Sequence, residues 1–243
     1  MMTPNLQNKL QLIRSIQSPT NEDLFLLIQF LTDPNENEII CAAVYPVLQN
    51  AGKPAADILL SVYSELVDSK NEKLQIRFSY AFSQIPESPP FIFEKFIQSE
   101  IPRVRQNGII GFGHLNDRKY DFLLFDTLIN DDDLETAYEA AAALSRGGPE
   151  VLNYFETIMA NDLEQNSKVD TRQKSYMDSQ TKIEADKANI LKKPDKHVLA
   201  KVIEIAGDIG SENTLQYLAA YLDHPDERIS RIAAESVQKI KPK

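Results

Sequence analysis

Three histidines, one cysteine, a run of aspartates and a glycine-rich string are the residues of this chain whose types could carry chemistry. His114, His197 and His224 could serve as general bases or metal ligands. They stand far apart, are followed by Leu115, Val198 and Pro225, and none lies in an HExxH pattern that would put two imidazoles on one helix face. Cys41, beside Ala42 and Ala43, reads either as a small structural residue or as a nucleophile, and a nucleophile needs an activating base that the neighbouring sequence does not supply. Asp131, Asp132 and Asp133 could attract a cation, or could cap a following helix and complement its macrodipole. Gly52-Lys53 has Val47 five residues before the glycine and Pro54 after the lysine, so it is no phosphate loop. The string from Gly108 to Gly113, GIIGFG, does not match the dinucleotide fingerprint and follows no strand. The expectation is no catalytic residue, no metal ligand and no cofactor.

Charge narrows the remaining classes. Twenty-six Lys and Arg stand against 36 Asp and Glu, a net charge of −10. Nucleic-acid affinity comes largely from basic side chains displacing condensed counterions, so this balance argues against a nucleic-acid surface. A single cysteine cannot close an intramolecular disulfide, which fits a reducing compartment, and a cytoplasmic location is expected. The amino terminus lacks the continuous apolar stretch of a signal peptide, and no run of about 18 apolar residues is present, so no membrane association is expected.

The elements that would position these residues show an internal repeat. Segments beginning at Ile39, Leu74, Val104, Thr136, Val198 and Ile229 can be overlaid so that small or apolar residues recur at offsets 0, 4, 8 and 11. The agreement is best in Leu74, Phe78, Phe82 and Ile85; in Val104, Gly108, Phe112 and Leu115; in Val198, Val202, Ala206 and Ile209; and in Ile229, Ala233, Val237 and Ile240. Such spacing keeps the side chains on one face of a helix with 3.6 residues per turn. Each of these B helices follows another helical pattern, an A helix, at residues 22–31, 55–67, 91–97, 120–129, 150–159 and 214–222. Polar turns such as Asp33-Pro34-Asn35 separate A from B, and Gly or Pro separates one pair from the next. The B starts lie 35, 30, 32, 62 and 31 residues apart, near one unit or twice it. No strand signal competes. The fold class predicted is all-α: an α-solenoid of about six stacked antiparallel helix pairs, forming one domain over residues 1–243.

The last unit, LDHPDERISRIAAESVQKI from Leu222 to Ile240, and the segment EIPRVRQNGIIGFGHL from Glu100 to Leu115 resemble the HEAT-repeat family, in a short bacterial-type solenoid. The resemblance rests on Asp and Pro in the intra-repeat turn of the last unit, then an apolar residue near a basic one, as in Val104-Arg105 of the other segment, then a small pair and a terminal apolar residue. The resemblance spans about residues 20–160 and 196–241. It implies a fold and says little of function. Its di-iron branch, the deoxyhypusine hydroxylases, is marked by repeated His-Glu pairs, which are absent here, and its alkylpurine glycosylase branch by a basic aromatic groove, which an acidic chain without Trp matches poorly.

Departures from the repeat are informative. Residues 162–195 insert about one unit of chain with no apolar face. They read as a solvated loop or as a partner-contacting element, with a helix over 178–193 docking through Ile183, Ile190 and Leu191. Pro46 removes a backbone donor inside the first B helix. Gly108, Gly111 and Gly113 thin the third, for close helix approach or for a ligand touching bare backbone.

In solenoids of this kind the B helices line the concave side, where a ligand lies. Offsets 3, 6 and 10 turn away from the core stripe and nominate Tyr45, Arg77, Tyr80, Asn107, His114 and Arg146 as exposed partner-binding residues, since Tyr and Arg anchor interfaces. The function expected is a non-enzymatic scaffold or adaptor that binds another protein. Two alternatives stand beside it. One is a phycobilin lyase or phycobilisome-degradation protein, which the resemblance allows at the level of fold. The other is an immunity or inhibitor protein masking a basic toxin, which the acidic surface would suit.

Overall fold

The computed structural model describes residues 4–66, 70–166 and 194–240, and among them every regular element is a helix. Contacts group the chain into two compact units, residues 1–117 and 118–243. Unit 1 contains α1 (Pro4–Ser15), α2 (Asn21–Thr32), α3 (Glu38–Ala51), α4 (Lys53–Leu66), α5 (Glu72–Gln84), α6 (Pro90–Phe96) and α7 (Pro102–Leu115). Unit 2 contains α8 (Asp121–Asn130), α9 (Leu134–Ser145), α10 (Leu152–Asn166), α11 (Lys196–Ile209), α12 (Glu212–Ala219) and α13 (Glu227–Ile240), with short 3-10 turns before α8 and α10.

The helix starts follow from local chemistry. Thr20 closes a capping box with Asp23 at α2, while the Asn37, Asn71, Asp133 and Asp195 side chains accept from main-chain N–H groups at α3, α5, α9 and α11. Proline occupies the first helical turn of α6 and α7, where its missing N–H costs nothing. Asp133 accepts from the Thr136 N–H at 2.8 Å and Asp131 from the Asp133 N–H at 2.8 Å, so two of the three aspartates organise a helix entry.

In unit 1 the pairs α2/α3, α4/α5 and α6/α7 stack so that α1, α3, α5 and α7 are successive neighbours in one layer. The same arrangement in unit 2 puts α9, α11 and α13 side by side, backed by α8, α10 and α12. This is the stacked-pair, helical-repeat architecture the periodicity predicts, and the A and B segments coincide with the observed helices. Among the described residues no helix is long and apolar enough to cross a membrane.

Three features differ from the sequence expectation. α1 is an extra B-layer helix, held to α3 by buried Leu10 and Ile13. In α3 the buried stripe is Ile40, Cys41, Val44 and Leu48, one position later than the Ile39 register, and Ile39 is 49% exposed. The polar insertion begins later than residue 162: α10 continues to Asn166, and Asp162 is buried within it, accepting from the Tyr221 hydroxyl at 3.2 Å. Because α11 packs on both α10 and α9, the extra chain falls in sequence between the two helices of one pair. The helix expected over 178–193 lies outside the described residues.

The third B helix is thinned for packing. A Cβ on Gly111 would stand 2.4 Å from the Phe93 ring, and one on Gly108 would stand 2.9 Å from Phe96 Cβ, so α6 rests directly on the backbone of α7.

Candidate functional site

Five of the six nominated residues belong to unit 1, on α3, α5 and α7, and the structure gives them unequal roles. Tyr45 on α3 and Tyr80 on α5 meet edge to face, with ring centroids 4.6 Å apart and planes at 72°. Both rings are half-buried, and neither phenolic hydroxyl has a hydrogen-bond partner among the described residues. Burial pushes the Tyr45 phenol well above its ordinary range, so it stays a neutral hydroxyl able both to donate and to accept.

Arg77 and Asn107 are not exposed. Arg77 retains 2% of its surface and Asn107 none. The reason is the width of the covered face: an inner B helix touches its own A helix and two B neighbours, so offset 3, which clears the A helix, still faces the adjoining pair. Arg77 reaches back to the turn of the preceding pair. Its guanidinium donates to the Asp33 and Glu36 carbonyls at 2.7 Å each and to the Glu38 carboxylate at 2.7 Å. Burial is the largest single influence and opposes the Arg77 charge, but the hydrogen bond to Glu38 and the surrounding charge interactions together outweigh it, and the same bond holds the Glu38 carboxyl below its usual range. Asn107 Nδ2 donates to Ser79 Oγ at 2.8 Å and to the Ile76 carbonyl at 3.3 Å, while its Oδ1 is buried without a partner. These two residues are internal clamps between repeats.

His114 is exposed near the end of α7, with Nδ1 2.8 Å from the Ser83 carbonyl, which requires the proton on Nδ1. Arg146 lies in unit 2 at the end of α9 and is exposed. The other two histidines are engaged locally: His197 with Arg228 Nη1 at 2.8 Å, and His224 accepting from the Asp226 N–H at 3.0 Å. Cys41 is fully buried, with Sγ 3.8 Å from the Phe30 carbonyl, and burial raises its thiol. That environment suits a packed side chain and not a thiolate nucleophile.

Sequence reasoning passed over the rest of the α3/α5 surface. A groove of about 420 Å³ is lined by Glu38, Glu72, Lys73, Ile76 and Arg77. Ile76 lies one helical turn before Tyr80, and Ile39 is exposed beside Glu38, so the groove adjoins apolar surface at both helices. The signal was available: Ile40, Val44 and Leu48 form a better apolar stripe than Ile39, Ala43 and Val47, and choosing it frees Ile39 for the surface.

No family model matches the chain, and no curated protein matches it. Solved structures do. An engineered protein shares 13% identity at a TM-score of 0.44, with 96% of each chain covered. A designed armadillo repeat protein in complex with a (KR)4 peptide shares 12% at 0.43, covering 90% of this chain and all of that one. Human deoxyhypusine hydroxylase shares 13% at 0.34, covering 90% of this chain and 96% of that one. These likenesses are loose, and the helical-repeat architecture rests on this chain's own packing.

Proposed function

We propose that the protein is a non-enzymatic scaffold or adaptor that binds another protein on the B-layer surface of unit 1, through Tyr45 and Tyr80 and the groove between α3 and α5. The observation that carries this reading is the tyrosine pair. Two half-buried rings hold each other in place, and neither hydroxyl has a hydrogen-bond partner among the described residues. Tyrosines locked in this way lose little conformational entropy on contact and offer both apolar area and a polar end, which is the behaviour of interface anchors. Exposed His114 extends the proposed surface onto α7. Arg77 and Asn107 contribute by fixing the spacing of the three helices and not by touching a partner. Arg146 stays a proposed contact of unit 2. The buried reduced thiol of Cys41 suits the cytoplasmic location proposed with this function.

The test is a photo-crosslinking residue placed at Tyr80 and, separately, at Asp57, an exposed A-layer position on α4. In native cells the reading expects a discrete adduct from position 80 and none from position 57. Equal labelling from both positions, or an adduct from 57 alone, contradicts it.

A further inference from the structure

A second concavity in unit 1 lies away from the tyrosine pair, where α4, α5, α6 and the start of α7 meet. It is a cavity of about 180 Å³ lined by Tyr63, Gln75, Lys95, Phe96, Ser99 and Val104. Its chemistry is one-sided. The Lys95 ammonium has no carboxylate within ion-pair distance among the described residues, and it lies over the Phe91 ring, 5.9 Å from centroid to nitrogen.

Two hydroxyl donors stand with it. Tyr63 is held by edge-to-face contacts with Phe82 at 5.8 Å and Phe96 at 5.6 Å, and its hydroxyl has no partner among the described residues. Burial raises the Tyr63 phenol, keeping its proton in place to be donated. Ser99 Oγ accepts from the Ile101 N–H at 3.2 Å, which leaves its own hydrogen to be given. The lining also includes Phe96 and Val104, both buried and apolar.

We propose that this cavity binds a compact organic carboxylate, its oxygens on Lys95, Tyr63 and Ser99 and its hydrocarbon body against Phe96 and Val104. One cation and two hydroxyls match a singly charged, two-oxygen head group, and a phosphate dianion would ask for more positive charge. The volume is below the roughly 300–1,000 Å³ of pockets for drug-sized molecules, which selects a short branched chain or a single ring. This site is independent of the scaffold reading, since it shares no residue with the α3/α5 groove.

The experiment titrates the full chain by NMR with isobutyrate and benzoate, with their amides, and with inorganic phosphate as competitor. At least one carboxylate saturates with Kd near 1 mM or tighter, and its amide binds about tenfold more weakly. Lys95→Gln, at an exposed position and with an unchanged melting temperature, loses about tenfold for the carboxylate and nothing for the amide. Tyr63→Phe loses about threefold. Failure of both carboxylates to saturate by about 20 mM, equal binding of acid and amide, undiminished binding by Lys95→Gln, or displacement by equimolar phosphate each overturns the proposal.

Discussion

Arg77 of α5 donates through Nη2 to the Glu38 carboxylate of α3 at 2.7 Å and to the Glu36 carbonyl, and through Nη1 to the Asp33 carbonyl, both carbonyls lying in the turn before α3. One side chain thus ties a helix to the turn of the preceding pair, and four oxygens from three residues converge on a guanidinium that water barely reaches. Arg77→Met should therefore cost about 2–4 kcal/mol in denaturant unfolding, because buried acceptors lose a charged donor. Arg77→Lys should recover only part of this, since an ammonium cannot span the same fork. Near-neutral unfolding of both variants would remove Arg77 from the list of inter-repeat clamps.

The next clamp is Asn107, with Ser79 and the Ile76 carbonyl. A double-mutant cycle of Asn107→Ala and Ser79→Ala should return a coupling of about 1 kcal/mol, the net worth of one buried hydrogen bond. Strict additivity would show the pair to be incidental.

Gly111 tests close packing in the opposite direction. Alanine raises helix propensity by about 1 kcal/mol, yet its methyl would meet the Phe93 ring. Overpacking should win, with a net loss of about 1–3 kcal/mol in Gly111→Ala. The double variant Gly111→Ala/Phe93→Leu should regain part of it, and a stabilised single variant would show that α6 yields freely.

Glu156 on α10 supplies the pH test. Burial raises its carboxyl despite the hydrogen bond it accepts from the Thr214 hydroxyl at 3.0 Å. A carboxyl whose folded value lies above its unfolded one binds the proton more tightly in the native state. Its contribution to stability is present below the unfolded value and is lost as pH rises through the folded value. Glu156→Gln keeps an acceptor for Thr214 and removes the buried charge, so it should melt higher than the parent at pH 7 and match it near pH 4. Thermal scans across that range decide it, and a lower melting temperature at pH 7 would contradict the assignment.

Much of the fold is legible from residue order because the B helices carry apolar stripes every thirty or so residues. Leu74, Phe78 and Phe82, or Ile229, Ala233 and Val237, are buried where the period places them. What escaped has a common physical cause. A 0, 4, 8, 11 stripe describes a helix with one covered side, whereas a helix inside the stack is covered on three. Arg77 and Asn107 fall on the side that only a neighbouring pair covers, and no pattern within one helix reveals that neighbour. α1 escapes the pattern because its short stripe of Leu6, Leu10 and Ile13 does not follow the 0, 4, 8, 11 spacing of the repeat. The tyrosine pair was legible as two nominations, but the contact between them needed the register of α3 against α5.

The central claim is that Tyr45 and Tyr80 are the anchors of a protein-binding surface, and its most direct test is the affinity of the captured partner for Tyr45→Ala/Tyr80→Ala, measured by calorimetry beside the parent chain. Two lost anchors should weaken binding at least about a hundredfold, with the double variant still folded by circular dichroism and with Asp57→Ala binding as the parent does. A folded double variant that binds with the parent's affinity would contradict the account.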